Sequence, residues 1–459
     1  MEELSTGRKV VQQEAGGGSG GGNVPEVADE NRSLSIVIQQ DDLFCSSGGE
    51  SENNKLQKPK IQKVPHKLRK IESNKECYDP LVVSIGPYHH GKPELEAMEK
   101  LKSVWAQQYA KHSQDTIAVL LNEVVEMVSD ARNCYLEGST DGFDDAAFAK
   151  MMFLDGCFVL HFIYCIVDEK QKDLKIKSHD TALVRRDLFL LENQVPFQVL
   201  EALMSFRFKE NEGEQMIKRF IMRSRKEPVQ EERGVLNQPL HLLELVRAQF
   251  IDFNAVNEVH GCYLTGEWYA HRSAKDFKAA GIHFMPSKTT RLTDINFESK
   301  GTFGQMTLPR TKIDDTTKSF LLNLVAYEAC PDSPDDFGVT SYVCFMDTLI
   351  DHAEDVKVLR RKGILLNCLG SDQQVADLFN EITKDLVPSP HAFKTVKSRI
   401  ELHHSNSMNI WMAEWRQTYL RSPWTVIAFT AAILALFLTV IQTVLGAFQT
   451  YFAAYPLKE

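Results

Sequence analysis

Twenty-five consecutive residues near the C-terminus, Trp424 to Phe448 (WTVIAFTAAILALFLTVIQTVLGAF), contain no Asp, Glu, Lys or Arg. At about 1.5 Å of helical rise each, they are long enough to cross the hydrocarbon core of a bilayer. A helix buried in a soluble core is the competing explanation, but such helices usually break their apolar run with a polar face well before this length. Trp411, Trp415 and Tyr419 recur at helical spacing and lead into Trp424, as interfacial aromatics do, although packing in a soluble core would give the same stripe. Arg416 and Arg421 stand before the span, whereas Lys458 follows it beside Glu459, so the positive-inside rule places the N-terminal body in the cytosol. The first thirty residues carry Glu2, Glu3, Glu14, Glu26, Asp29 and Glu30 and no apolar run of signal-peptide length. Glu2 excludes N-myristoylation, and Leu457-Lys458-Glu459 offers no prenylation cysteine. The expectation is a single-pass protein held in a bilayer through Trp424 to Phe448, with the plasma membrane as one candidate location.

The remaining chain is long enough to bury a substantial core, since 43% of its 459 residues are hydrophobic. A net charge of −10 argues against nucleic acid as a partner, because phosphate recognition needs clustered cations. The densest basic run of the body, Arg360-Arg361-Lys362, is followed by Gly363 and reads as a helix C-terminus. Nine cysteines, odd in number and without a C-x-x-C pair, indicate neither a disulfide framework nor a zinc site, in keeping with a reducing compartment. No cofactor or metal is expected.

Five parts follow along the chain. Residues 1–58 form an acidic tail with the tract Gly16 to Gly22, read as disordered. Residues 59–405 form a helical globular domain, 406–423 a juxtamembrane aromatic helix, 424–448 the transmembrane helix and 449–459 a short tail. Within the body, Pro65, Pro80 and Pro87 impose turns and extended backbone, and Pro93 opens a helix with Met98, Leu101 and Trp105 on one face. Periodicity predicts further helices over Thr116 to Ser129, Asp145 to Val167, Leu183 to Met204 with a kink or division at Pro196, and Leu240 to Phe250. Gly213 to Glu232 reads as charged and exposed, and 251–271 resists assignment. Short apolar pieces between Gly281 and Ile313 fit a small antiparallel sheet. Helices resume at Thr316, at Ser341 with an end at Gly363, at Ser371 with a capping box to Gln374, and from about His391. The fold class is therefore mainly α, a multi-helix body with a small antiparallel β element and one C-terminal transmembrane helix.

Four places could carry chemistry. Val83 to Gly91 (VSIGPYHHG) offers His89 and His90, yet adjacent side chains of an extended segment point apart, and a turn set by Gly86, Pro87 and Gly91 is the favoured reading. Asp155 stands two residues before Cys157, whose apolar neighbours favour an inert core thiol over a nucleophile. Glu192, Asn193 and Gln194 could bind a ligand or act as a base, but they can equally satisfy backbone groups freed beside Pro196, and this is favoured. Asp314-Asp315 reads as a helix cap and Asp335-Asp336 as a loop.

Together these segments are similar to a plant protein family known as domain of unknown function 247. The resemblance rests on Lys63-Val64-Pro65 with Leu68-Arg69, Tyr78-Asp79-Pro80, Val83 to Gly91, Met151 to Cys157 (MMFLDGC) and Asp187 to Phe197 (DLFLLENQVPF). It continues through His241 to Leu245, Ala280-Gly281-Ile282, Ile313-Asp314-Asp315, Asn323 to Glu328, and Ser422-Pro423-Trp424-Thr425, covering about residues 61 to 448. The resemblance implies plant origin, a mainly helical body, a C-terminal membrane helix and no established catalytic residues. Some members of such families act in recognition, including pollen and stigma self-incompatibility in grasses, and the resemblance extends that to this chain as an expectation. The expected function is a membrane-anchored, noncatalytic protein that recognises an unknown protein partner or itself. The alternative is a membrane-tethered hydrolase or transferase using His89 or His90 with Glu192 or Asp155, and a structural scaffold is a third, weaker reading.

Overall fold

The computed structural model describes residues 59–113, 115–222, 238–251, 272–405 and 423–454. The acidic tail 1–58, nearly all of the stretch 251–271 and the aromatic stripe of 406–422 lie outside the described residues.

The prolines of the first segment do as their fixed φ requires. Residues 59–92 contain only a single helical turn, His66–Arg69, and a 3-10 turn, Glu72–Cys77. Pro93 then opens a 3-10 turn that runs into α1 (Glu96–Lys111), with Glu94, Glu96 and Glu99 at the positive end of the helix dipole. The helix expected over Thr116 to Ser129 divides at Met127 into α2 (Ile117–Glu126) and α3 (Val128–Asn133). The next, α4 (Asp145–Val167), has the predicted bounds, and Asp144 caps it by accepting the Ala147 N–H at 2.7 Å.

Helix α4 is apolar on nearly every side because it is surrounded. Trp105 of α1 stacks on Phe158, ring centroids 4.5 Å apart. By length and composition α4 could cross a membrane, but 72% of its apolar window is buried within the body, which marks it as a core helix.

Between Leu183 and Met204 lie two helices rather than one kinked helix. Helix α5 (Ser178–Asp187) ends before an irregular, buried stretch, and α6 (Phe197–Ser205) starts after Pro196, which stands at its N-cap. Helix α6 approaches α4 closely at Gly156, where a Cβ would sit 2.5 Å from the Leu203 Cδ1. The described part of the charged segment from Gly213, which ends at Met222, also differs from its expected exposed state, while 223–232 lie outside the described residues. Helix α7 (Glu212–Met222) buries Met216, Ile217, Phe220 and Ile221 and packs on α4, its charges lying on the other face.

The second half begins with α8 (Leu242–Phe250), capped by His241, whose Nδ1 accepts the Glu244 N–H at 3.2 Å. Burial pushes the His241 imidazole down to about 3, which keeps that nitrogen available as an acceptor. After α9 (Ala274–Ala279) come β1 (Ile282–Pro286), β2 (Asn296–Lys300) and β3 (Phe303–Leu308). The sheet is mixed: β2 pairs antiparallel with β3 as expected, but β1 pairs parallel with it, Ile282 opposite Gly304. A separate pair joins β4 (Thr311–Ile313) to a later strand.

Helix α10 (Thr317–Glu328) follows a turn in which Asp314 accepts the Thr316 N–H and hydroxyl; the N-cap, Thr316, makes no side-chain cap hydrogen bond. The helix expected from Ser341 to Gly363 is two helices, α11 (Gly338–Leu349) and α12 (Ala353–Arg361). They divide at Ile350 to His352, where the Asp355 carboxylate accepts the N–H groups of Asp351 and His352. Gly363, at φ +71°, closes α12 as its sequence predicts. Strand β5 (Leu365–Asn367) then pairs parallel with β4, and α13 (Asp372–Ile382) opens with the reciprocal Ser371–Gln374 capping box. Helix α14 (Lys394–Ser405) packs on β2.

One continuous apolar core runs from Ile61 to Ile400. The last helix, α15 (Pro423–Ala454), is apart from it in kind. Its window Trp424–Tyr451 is long and apolar enough to cross a membrane, and none of it is buried.

Candidate functional site

The most unusual local sequence, Val83 to Gly91, is neither helix nor strand, so its backbone groups must find partners elsewhere. They find them in side chains of the 187–194 stretch and of α4. The buried Asp187 carboxylate accepts the N–H groups of Leu81, Val82 and Val83, the tightest at 2.7 Å from Val82. Asn193 accepts the Ile85 N–H at 2.6 Å and donates to the Val83 and Asp187 carbonyls at 3.0 Å. Asp155 accepts the Gly86 N–H at 2.8 Å. Gly86 itself stands at φ +75°, and a Cβ there would lie 2.5 Å from the Gln194 carbonyl oxygen. Gln194 spends its amide on the Leu188 and Leu190 carbonyls and accepts the Leu243 N–H.

The two histidines part across the bends and turn between Gly86 and Gly91, and a charged cluster forms on each side. On one side, Glu192 accepts the Val64 N–H and an Arg69 guanidinium N–H, both at 2.8 Å, and Arg69 also reaches Asp79 at 3.3 Å. His89, 4% exposed, lies between these acids, with Nε2 3.5 Å from Glu192 and Nδ1 3.9 Å from Asp79. Neither ring nitrogen has hydrogen-bond geometry within the described residues. Burial would push the Glu192 carboxyl up, but His89, the Val64 N–H and Arg69 together hold it down at about 2.

On the other side, Lys102 and Asp155 are each 1% exposed. The Lys102 ammonium lies 2.5 Å from both Asp155 and Glu99 and donates to the Ser84 carbonyl at 2.6 Å. Ser84 closes the set by donating its hydroxyl to Glu99 at 2.5 Å, and His90, about one-third exposed, stands 4.0 Å from Glu99. Burial pushes the Asp155 carboxyl up, while Lys102 and the Gly86 N–H pull it back.

The structure thus brings His89 to Glu192 and places His90 with Asp155 only through Glu99 and Lys102. The lone pairs of Asp155, Asp187 and Glu192 face backbone N–H groups and cations, which is what a brace needs and what a general base at rest lacks. Cys157 is fully buried, and burial pushes its thiol well above the usual range, as its apolar neighbours predict. No group of three or more His, Cys, Asp or Glu among the described residues is arranged to hold a metal ion.

A second buried cluster forms around Asp336, which lies in a loop as the sequence reading has it, in the turn before α11. Asp336 is buried, accepts from Arg247 and caps Gly338 at 3.1 Å. Arg247 also donates to Glu328 at 2.8 Å, and Glu328 accepts the N–H groups of Val339 and Thr340 at the start of α11. Sequence reading missed this cluster together with Lys102, Glu99 and Asp187. Lys102 alone left a signal, a cation four residues after Met98 and three before Trp105 on the apolar face of α1.

The segments so joined lie within the part of the chain that a plant family model covers. A family model described as "plant protein of unknown function", domain of unknown function 247, matches residues 61–438. The chain belongs to this family. The domain of unknown function 247 match starts at Ile61, the first buried residue of the core, and ends inside α15. A UPF0481 protein of Arabidopsis thaliana is 29% identical over 421 residues, covering 83% of this chain and 85% of that protein. A second UPF0481 protein of Arabidopsis thaliana is 23% identical over 478 residues, covering 83% of this chain and 89% of its own length. No solved structure matches.

The Glu192 site has a pH signature. A carboxyl depressed on folding adds stability above its unfolded value, near 4.5, and loses it as pH falls toward about 2. The stability gap between the natural protein and a Glu192→Gln variant is therefore expected to be full at neutral pH and to close between those values. Denaturant titrations of both proteins at several acidic pH values measure it, and a gap independent of pH contradicts the assignment.

Proposed function

We propose that this protein is a single-pass membrane-anchored plant protein whose helical body binds another protein without catalysing a reaction. The observation that carries the proposal is the division of labour along the chain. Helix α15 keeps its apolar surface unburied, while the polar groups nearest to a catalytic constellation are engaged in holding Val83 to Gly91. The arginines at 416 and 421 favour a cytosolic body.

Two experiments test this reading on the full chain. With a tag at each end, protease treatment of intact membranes is expected to leave the N-terminal tag accessible from the cytosolic side and the chain resistant to alkaline extraction. Cross-linking in intact cells is expected to join the body to the same protein in the natural chain and in a folded His89→Gln, Glu192→Gln variant. Release by alkali overturns the anchor. A partner lost only when these two side chains change favours the hydrolase or transferase reading, whose support is the 3.5 Å approach of His89 to Glu192.

A further inference from the structure

We propose that α15 pairs side by side with α15 of a second copy of this chain, through a polar face centred on Gln442; the inference rests on the membrane-anchored reading. Gln442 lies eighteen residues after Trp424 and nine before Tyr451, about 27 Å and 14 Å along the helix axis. A span of this length places it inside a hydrocarbon layer about 30 Å thick. Thr439 and Thr443 donate their hydroxyls to carbonyls four residues back at 2.8 Å, and Thr450 does so at 2.6 Å. Gln442 and Gln449 have no such internal solution among the described residues. An amide carries two donors and an acceptor, and acyl chains satisfy none of them.

The position of these amides is not random around the helix. At about 100° per residue, Ala428, Ala435, Thr439, Gln442, Gly446 and Gln449 fall within one arc of about 80°. Their spacing of seven, four, three, four and three residues is the repeat of two helices wrapped in a left-handed pair. Phe437, Ile441, Val444 and Phe448 occupy the opposite side and suit lipid. Gly446 and the alanines let two backbones approach until the amides can meet. The occupant that fits is an identical helix. Both copies enter the membrane in the same orientation, so a parallel pair sets Gln442 against Gln442, and an amide is its own complement as donor and acceptor.

The test uses full-length chains carrying donor or acceptor fluorophores, co-expressed in membranes at matched levels, with alkaline extraction run alongside. Energy transfer above that of an unrelated single-pass control is expected. Gln442→Leu is expected to weaken self-association about threefold to tenfold. Gly446→Ile is expected to abolish it, and Phe437→Leu on the opposite side to leave it unchanged. Natural chains that resist alkaline extraction yet transfer no more energy than the control overturn this inference alone. Equal transfer in all four proteins also overturns it, since association would then lie in the body. Extraction of the natural chain by alkali overturns the anchored reading as well.

Discussion

Replacing Lys102 with methionine is expected to cost about 3–5 kcal/mol of stability, the usual consequence of leaving a buried charge without its partner. Methionine fills much of the same volume, so the loss isolates charge from packing. The variant strands Asp155, 1% exposed, whose carboxylate would face Glu99 with no cation between them, and it removes the donor to the Ser84 carbonyl. Lys100→Met on the same helix is the control. Lys100 is exposed and, among the described residues, pairs only with the exposed Glu96, so its loss is expected to stay within about 0.5 kcal/mol. Denaturant unfolding of the full chain in detergent, followed by tryptophan fluorescence, reads both. Equal losses in the two variants would contradict the role given to Lys102.

The second large effect is expected at Gly86. A left-handed residue with a Cβ costs roughly 1–2 kcal/mol from backbone conformation alone. At Gly86 the added carbon would also meet the Gln194 carbonyl oxygen at 2.5 Å, with the Tyr135 hydroxyl at 3.0 Å on another side. That oxygen is backbone and already accepts from Tyr135 at 2.8 Å, so it has little room to yield. Gly91 provides the comparison, since it too is left-handed, at φ +82°, but a Cβ there meets nothing within 4 Å. Gly91→Ala is expected to show the conformational cost alone, and Gly86→Ala a clearly larger loss in the same unfolding assay. Matching losses would mean that the 83–91 segment is not packed against the 187–194 stretch.

What could be read in the sequence was local. The bounds of α4 follow from apolar residues recurring at helical spacing between Asp145 and Val167, and α13 follows from a Ser371–Gln374 capping box. Those signals act within a few residues and need no tertiary partner. The division of α5 from α6 was legible only as a choice of kink or break at Pro196. It is decided by Asp187 and Asn193, which turn to a segment about one hundred residues earlier, and by Gln194, which holds the Leu188 and Leu190 carbonyls and the Leu243 N–H. Parallel pairing of β1 with β3, and of β4 with β5 across more than fifty residues, likewise depends on chain crossings that periodicity does not record. Helix α7 was misread because its charges dominate its composition while its apolar face recurs at helical spacing.

The candidate site divides in the same way. The residue types of the ENQ triplet suggested backbone satisfaction, and the structure bears that out with different partners from those expected, chiefly the 64, 83–85 and 243 backbone groups. Opposite placement of His89 and His90 is what the sequence reading expected, although bends and a turn between Gly86 and Gly91 set it rather than extended backbone. Which acid each histidine would meet did not, since Glu99 and Glu192 reach the segment from elements far apart in the chain.

The charges flanking Val83 to Gly91 brace the fold. A double-mutant cycle on Lys102→Met and Asp155→Asn tests it most directly, because asparagine still accepts the Gly86 N–H while losing its charge. The double variant is expected to recover most of the stability lost by Lys102→Met alone. Losses that simply add would show that the two groups do not act on one another, and would contradict it.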